Sequence, residues 1–306
     1  MSDDPLVSVV TPTWNRPRRI LDAIRTVNRQ NYPNIEHVIV DGNSDVPIDE
    51  AIAESDVTAN DSVELVLEIQ SRNEGLSAAR NRGIELADGE FIAFLDDDDE
   101  WHRDKLARQV RKGQSTDAGV IYSGVEQEVN GRIIATQIPS VQGDITRDLL
   151  TGTPIKSPST VMVRPGVADE IDGFDPRFDT YEDLDFYIRA SQVATFDGVR
   201  DVLVTRQHHD SQISRDYCNK RDISVPLLRE KHQPLAEQYG VENEFNTTLE
   251  SILGGSAVDA GKFRAARTHY FRAFRRSPTR ETLINLLAVA GGGLTYRPLR
   301  YVRRRI

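Results

Sequence analysis

The chain has 306 residues and a single cysteine, Cys218, so it can form neither an internal disulfide nor a zinc cluster built on thiolates. This suits a reducing cytoplasm, the expected location. Lysine is scarce too, with six lysines beside 32 arginines. No window approaches the ~20 uninterrupted apolar residues of a transmembrane helix, so none is expected. MSDDPLVSVV has no basic segment ahead of its apolar run, and a signal peptide is not expected either. Neither GxGxxG nor a P-loop occurs, so a phosphate-bearing ligand would bind without a glycine-rich cradle.

The net charge of −10 is unevenly spread. Residues 261–306 carry 12 Lys and Arg against one acid, Glu281, a balance of +11, and the rest of the chain carries −21. An acidic, lysine-poor body fits a protein that works at high salt, because dense charge otherwise destabilises a compact state by self-repulsion. It argues against nucleic acid as the ligand.

What the sequence does contain is organised around FIAFLDDDDEW, residues 91–101. Residues 91–95 are a short apolar, aromatic run that reads as a buried strand. Asp96, Asp97, Asp98 and Asp99 then fall just past its C-terminal end, where ligands bind in open α/β sheets. Crowded carboxylates repel one another, and a divalent cation bound through oxygen supplies a reason to gather them. The competing reading is an acidic start to a helix beginning at Trp101.

Along the chain, residues 6–10, 35–40, 63–69 and 91–95 read as strands. Helical spacing separates them: Ile20, Leu21, Ile24 and Val27, then Leu76, Ala79, Ile84 and Leu86. This alternation predicts a parallel α/β sheet covered on both faces. Further strands are expected at 118–122, 160–163 and 199–205, and a hairpin over 125–138 turns at Asn130-Gly131. A helix is expected at 184–190, with Glu182 and Asp183 at its start. Beyond Ser214 the pattern is helical only. Residues 261–290 read as a helical hairpin broken at Ser277-Pro278. The strand ends place Thr11-Pro12-Thr13-Trp14-Asn15, Asp41, Asn73 and Asp96–Asp99 on one rim.

Six stretches together resemble family 2 glycosyltransferases of the GT-A fold. They are VSVVTPTWNR (7–16), HVIVDGNSD (37–45), RNEGLSAARNRGI (72–84), FIAFLDDDDEW (91–101), YEDLDFYIRA (181–190) and RQHHDSQIS (206–214). They follow the family's order and cover about residues 5–215. The resemblance implies a nucleotide-sugar-binding GT-A domain over 1–215 and a C-terminal helical appendage over 216–306. It places Thr11, Pro12 and Asn15 by the nucleotide, Asp41 at the base, and Asn73 and Arg80 along the donor. Asp96, Asp97 and Asp98 match the DXD motif, with Asp96 on the ribose side and Asp98 on a Mg²⁺ or Mn²⁺ ion. Asp99 allows the frame to slip by one. Asp183 would be the general base, Glu182 would orient the acceptor or its loop, and His208 would reach the metal or the diphosphate, with His209 as its rival.

The implied reaction is inverting transfer from a nucleotide-sugar, expected to be a UDP-sugar, to a hydroxyl of a growing glycan, lipid-linked as in many relatives. The cation would neutralise charge developing on the diphosphate, and one base with direct displacement inverts the anomeric centre. A sugar nucleotidyltransferase is the competing enzyme, although TPTWNRPRR lacks the glycines it needs. A catalytically inactive GT-A scaffold is the competing non-enzyme. The tail, residues 291–306, interleaves arginines with aromatic and aliphatic residues. It fits either an anionic membrane surface on the cytoplasmic side or the protein's own acidic body.

Overall fold

The computed structural model describes residues 4–55, 57, 60, 62–207 and 216–292. They fall in two compact units. The first takes residues up to 145 together with 154–177 and 182–208, and the second takes 146–153, 178–181 and the chain from 209 onward.

The first unit begins with β1 (Val7–Thr13), α1 (Pro17–Asn28), β2 (Ile35–Asp41), α2 (Ile48–Ala53), β3 (Val63–Ile69), α3 (Leu76–Leu86) and β4 (Phe91–Phe94). Every residue of β1, β2 and β4 is buried, as expected of parallel strands covered on both faces. Pro17 opens α1, where a missing N–H costs nothing. Ile20, Ala23, Ile24 and Val27 turn one face of α1 into the core beside Val7, Val9 and Ile39. β1 pairs in parallel with both β2 and β4, and β2 pairs in parallel with β3. The C-terminal ends of these four strands therefore share one rim, as the sequence predicts.

Past β4 the sheet becomes mixed. β5 (Asp99–Trp101), α4 (Lys105–Gln114), β6 (Val120–Val129) and β7 (Arg132–Gln137) come first. α5 (Thr146–Thr151), in the second unit, precedes β8 (Val161–Val163), α6 (Pro165–Glu170), α7 (Glu182–Ala190) and β9 (Phe196–Gln207). The strand order is β3-β2-β1-β4-β8-β6-β9-β5, with β7 on β6. β8 runs antiparallel to β4 and to β6, and β5 runs antiparallel to β9. The expected hairpin is present, with Asn130 and Gly131 at φ 50° and 74°. Its first strand, β6, is continuous with the strand expected at 118–122. Trp101 closes a strand rather than opening a helix, because residues 99–101 pair with β9 and α4 starts at Lys105.

The second unit holds α5, α8 (Tyr217–Asn219), a π-turn over Lys220–Ser224, α9 (Val225–Gln238), α10 (Glu242–Asp259), α11 (Phe263–Arg276) and α12 (Arg280–Ala290). α11 and α12 form the expected hairpin, and a capping box between Thr279 and Thr282 restarts the chain after Pro278. Inside this unit Glu250 accepts or shares a proton with His269 Nδ1 at 2.8 Å, and His269 Nε2 meets the Tyr217 hydroxyl at 3.0 Å.

One glycine sets the distance between α3 and β1. A Cβ on Gly83 would lie 2.3 Å from Val10 Cγ1, a stiff side chain with nowhere to move in the core. Gly→Ala within a helix is ordinarily favourable by about 1 kcal/mol. Gly83→Ala is predicted to destabilise instead, by roughly 1–3 kcal/mol, through overpacking. A lowered midpoint in chemical denaturation checks this, and a raised midpoint contradicts it.

Candidate active site

The four aspartates leave β4 in a tight turn in which the Asp99 N–H bonds the Asp96 carbonyl at 3.1 Å. Two serines brace that turn from the segment before β8. Ser159 Oγ accepts from the Asp96 N–H at 3.0 Å, and Ser157 Oγ donates to Asp99 Oδ2 at 2.9 Å. Asp97 points away from its neighbours. It accepts from Thr13 Oγ1 at 2.9 Å and from Arg16 Nη1 at 2.8 Å. The other three converge, with carboxylate oxygens of Asp96, Asp98 and Asp99 all within 4.8 Å of one another. Asp99 Oδ1 is buried with no hydrogen-bond partner among the described residues.

Arg80 joins this cluster to the start of α7. It sits on α3, is 1% exposed, and donates through Nη2 to Asp96 Oδ1 at 2.6 Å and through Nη1 to Glu182 Oε1 at 2.7 Å. Its guanidinium lies 5.2 Å from the centroid of the Phe174 ring. The next residue, Asn81, holds Phe174 in place by bonding its N–H and its carbonyl, at 2.7 and 2.8 Å. Gly173 is required here: its φ is +59°, and a Cβ would approach Asn81 Oδ1 to 2.4 Å. Arg189, paired with buried Asp185 at 2.8 Å, donates to the Gly173 carbonyl at 2.7 Å and so ties α7 to the same loop. Asp183 follows Glu182, and its Oδ1 accepts from the Leu184 N–H at 2.8 Å.

The electrostatics are crowded and predominantly anionic. Carboxyl groups of Asp96, Asp97, Asp98, Asp99, Glu182 and Asp183 face the guanidinium groups of Arg16, Arg80 and Arg206. Burial pushes the Asp97 carboxyl up to about 6, against the pull of Arg16. Burial likewise pushes Asp99 up against Arg206, and Glu182 and Asp183 up against Arg80. Among the described residues three guanidinium groups face six carboxyl groups, and the oxygen donor set of Asp96, Asp98 and Asp99 fits a hard divalent cation.

The remaining rim residues are placed as follows. Thr11 and Pro12 are buried within β1, and Thr11 Oγ1 is 2.9 Å from His37 Nε2. Asn15, at φ 54°, accepts from the Asp45 N–H at 2.7 Å and donates to its carboxylate at 3.0 Å, which joins the loops after β1 and β2. Asp41 is buried and accepts from Ser44 Oγ and N–H at 2.5 and 3.2 Å. Asn73 is exposed and its Oδ1 accepts from the Gly75 N–H at 2.9 Å. His208 and His209 lie outside the described residues. Sequence reasoning missed Arg16, Ser157 and Ser159 as supports of the aspartate turn. The only signal for the serines was the Ser-Pro-Ser turn, which carries no chemistry by itself.

His37 gives the site's base a pH signature. It is fully buried beside Thr11, and burial pushes its imidazole down to about 3 from 6.5. An imidazole with a depressed folded pKa contributes stability above pH 6.5 that is lost as pH falls toward 3, about 1.4 kcal/mol per pH unit. His37→Gln can still bond Thr11 but takes up no proton. Between pH 6.5 and 4.5 the variant should lose less stability than the natural protein, by roughly 2 kcal/mol. Denaturation midpoints across that range test this, and equal losses would show that His37 is not buried neutral.

Comparison with known proteins agrees with this geometry. The chain is 32% identical over 195 residues to the amylovoran biosynthesis glycosyltransferase AmsB of Erwinia amylovora. That match covers 61% of this chain and 64% of AmsB, so the chain spans just under two thirds of that relative. The mannosyltransferase PcManGT of Pyrobaculum calidifontis, solved with GDP-Man and Mn²⁺, superposes with a TM-score of 0.65 at 18% identity, covering 99% of this chain and 85% of that one. S. aureus TarS 1–349, solved with UDP-GlcNAc, gives 0.58 at 19% identity, covering 96% and 92%. These two likenesses show the fold, a GT-A sheet with helices. The profile described as Glycosyl transferase family 2 matches residues 8–171, more than half of the chain and the whole of the aspartate turn and Arg80, and the chain belongs to that family.

Proposed function

We propose that the protein transfers a sugar from a nucleoside-diphosphate sugar to a hydroxyl of a growing glycan, with inversion at the anomeric carbon. The observation that carries this reading is the Arg80 bridge, which sets the cation-fitting aspartates beside Glu182 and Asp183. The donor would lie on the rim with its diphosphate at the aspartate turn. Thr11, Pro12, Asn15, Asp41 and Asn73 would frame the nucleotide, a UDP in this reading. Asp96 would face the ribose, and Asp98 would hold a Mg²⁺ or Mn²⁺ ion with His208. Asp97 would act from behind, keeping Thr13 and Arg16 in place.

The bound cation would supply positive charge for the diphosphate leaving group. Asp183 would take the acceptor's proton. Its Oδ1 is held by the Leu184 N–H, and Oδ2 would be the oxygen that takes the proton. Burial, which raises the Asp183 carboxyl, makes it a better proton acceptor when ionised. Glu182 would be fixed by Arg80 and orient the acceptor side.

In this proposal residues 1–215 form the catalytic domain and 216–306 the helical appendage. The acceptor would be a lipid-linked or cell-surface glycan. No helix among the described residues is long and apolar enough to cross a membrane. Contact with an anionic cytoplasmic membrane surface is assigned to residues 291–306, of which only Gly291 and Gly292 are described.

The test is metal-dependent turnover of a panel of UDP- and GDP-sugars. EDTA should abolish turnover, and Mn²⁺ or Mg²⁺ should restore it. Asp98→Ala should lose most Mn²⁺-supported UDP binding in calorimetry while its circular dichroism stays unchanged. Full turnover in EDTA would overturn the assignment.

A further inference from the structure

Tyr187 is a buried polar group that the proposed chemistry does not yet use. It lies on α7 and is 1% exposed, and its hydroxyl has no hydrogen-bond partner among the described residues. An unsatisfied buried hydroxyl costs roughly 1–3 kcal/mol. Packing alone would be better served by phenylalanine, since the ring already sits edge-on to Phe186 with centroids 6.1 Å apart.

The surroundings of the hydroxyl are specific. Tyr187 follows Asp183 by four residues, so the two share a face of α7. Long side chains on a helix lean back toward its N-terminus, which carries the phenol over the turn that holds Asp183. The charged groups that act on it are Asp183, Arg80, Asp96 and Glu182. Burial, then the nearby carboxylates, push the phenol well above its ordinary pKa, so it keeps its proton and can only be a donor toward an anion. Asp183 has one oxygen held by the Leu184 N–H.

We propose that Tyr187 is a positioning residue for the general base: its hydroxyl donates to the Asp183 carboxylate when the acceptor enters, and fixes the oxygen that receives the acceptor's proton. The proposal rests on the reading of Asp183 as the base. Tyr187 exchanges no proton of its own. The acceptor's proton passes to Asp183 and the sugar passes from the diphosphate to the acceptor oxygen.

The experiment is a double-mutant cycle of Tyr187→Phe and Asp183→Asn. Its readout is Mn²⁺-supported hydrolysis of UDP-GlcNAc or GDP-mannose, with water as the acceptor. Tyr187→Phe should lower kcat roughly ten-fold, the scale of one hydrogen bond to a charged group, and leave the donor KM within two-fold. In the Asp183→Asn background the same change should cost nothing further. The melting temperature of Tyr187→Phe should be unchanged or raised, because an unsatisfied hydroxyl is removed. An unchanged kcat, an equal loss in both backgrounds, or a melting temperature lowered by several degrees would each overturn the proposal. If Asp183→Asn alone retains full turnover, the base assignment fails first and takes this inference with it.

Discussion

A single buried guanidinium organises the site. Arg80 is surrounded by protein, so its charge must be met by partners at hydrogen-bond distance, and among the described residues it has two: Asp96 after β4 and Glu182 at the start of α7. Neither partner is free to leave. Removing one side of a buried ion pair strands the other and costs about 3–5 kcal/mol. The arginine therefore does more than neutralise charge. It fixes the spacing between the aspartate turn and the helix that carries Asp183. Much nearby detail serves to hold it. Gly83 lets α3 approach β1, Phe174 lies beneath the guanidinium, and Asn81 and Arg189 clamp the loop that presents Phe174.

The aspartate run divides its labour by direction. Asp97 turns back to Thr13 and Arg16 and anchors the turn to β1 and the start of α1. Asp96, Asp98 and Asp99 face one another instead. Carboxylates brought this close repel one another, and among the described residues three arginines face six carboxyl groups. A site built this way is poised to gain from a cation together with an anionic diphosphate, more than from either alone.

How much of this was legible in the sequence follows from where each signal is local. Buried parallel strands read as apolar runs, so β1, β2 and β4 and the rim at their ends were visible, as was the Asn130-Gly131 hairpin. The mixed half was less so. β8 lies within the strand expected at 160–163, but β5 has only three residues, too few to show a period, and the acidic residues before Trp101 suit the start of a helix equally well. At the site the aspartates announced themselves, but their directions did not. Nothing local says that Asp97 turns away, since Thr13 lies 84 residues earlier in the chain. The Arg80 bridge spans 102 residues to Glu182, and the two serines that brace the turn are 58 and 63 residues from their partners. Tyr187 carries no local signal of its own, because an unsatisfied hydroxyl becomes visible only when its surroundings are.

The central claim is that one carboxylate, Asp183, set opposite the leaving diphosphate, drives a single displacement. Its most direct test is the configuration of the sugar first released from α-linked UDP-GlcNAc or GDP-mannose in the presence of Mn²⁺, followed by NMR before mutarotation. The account predicts the β anomer from the natural protein and its loss in Asp183→Asn. Release of the α anomer would contradict it.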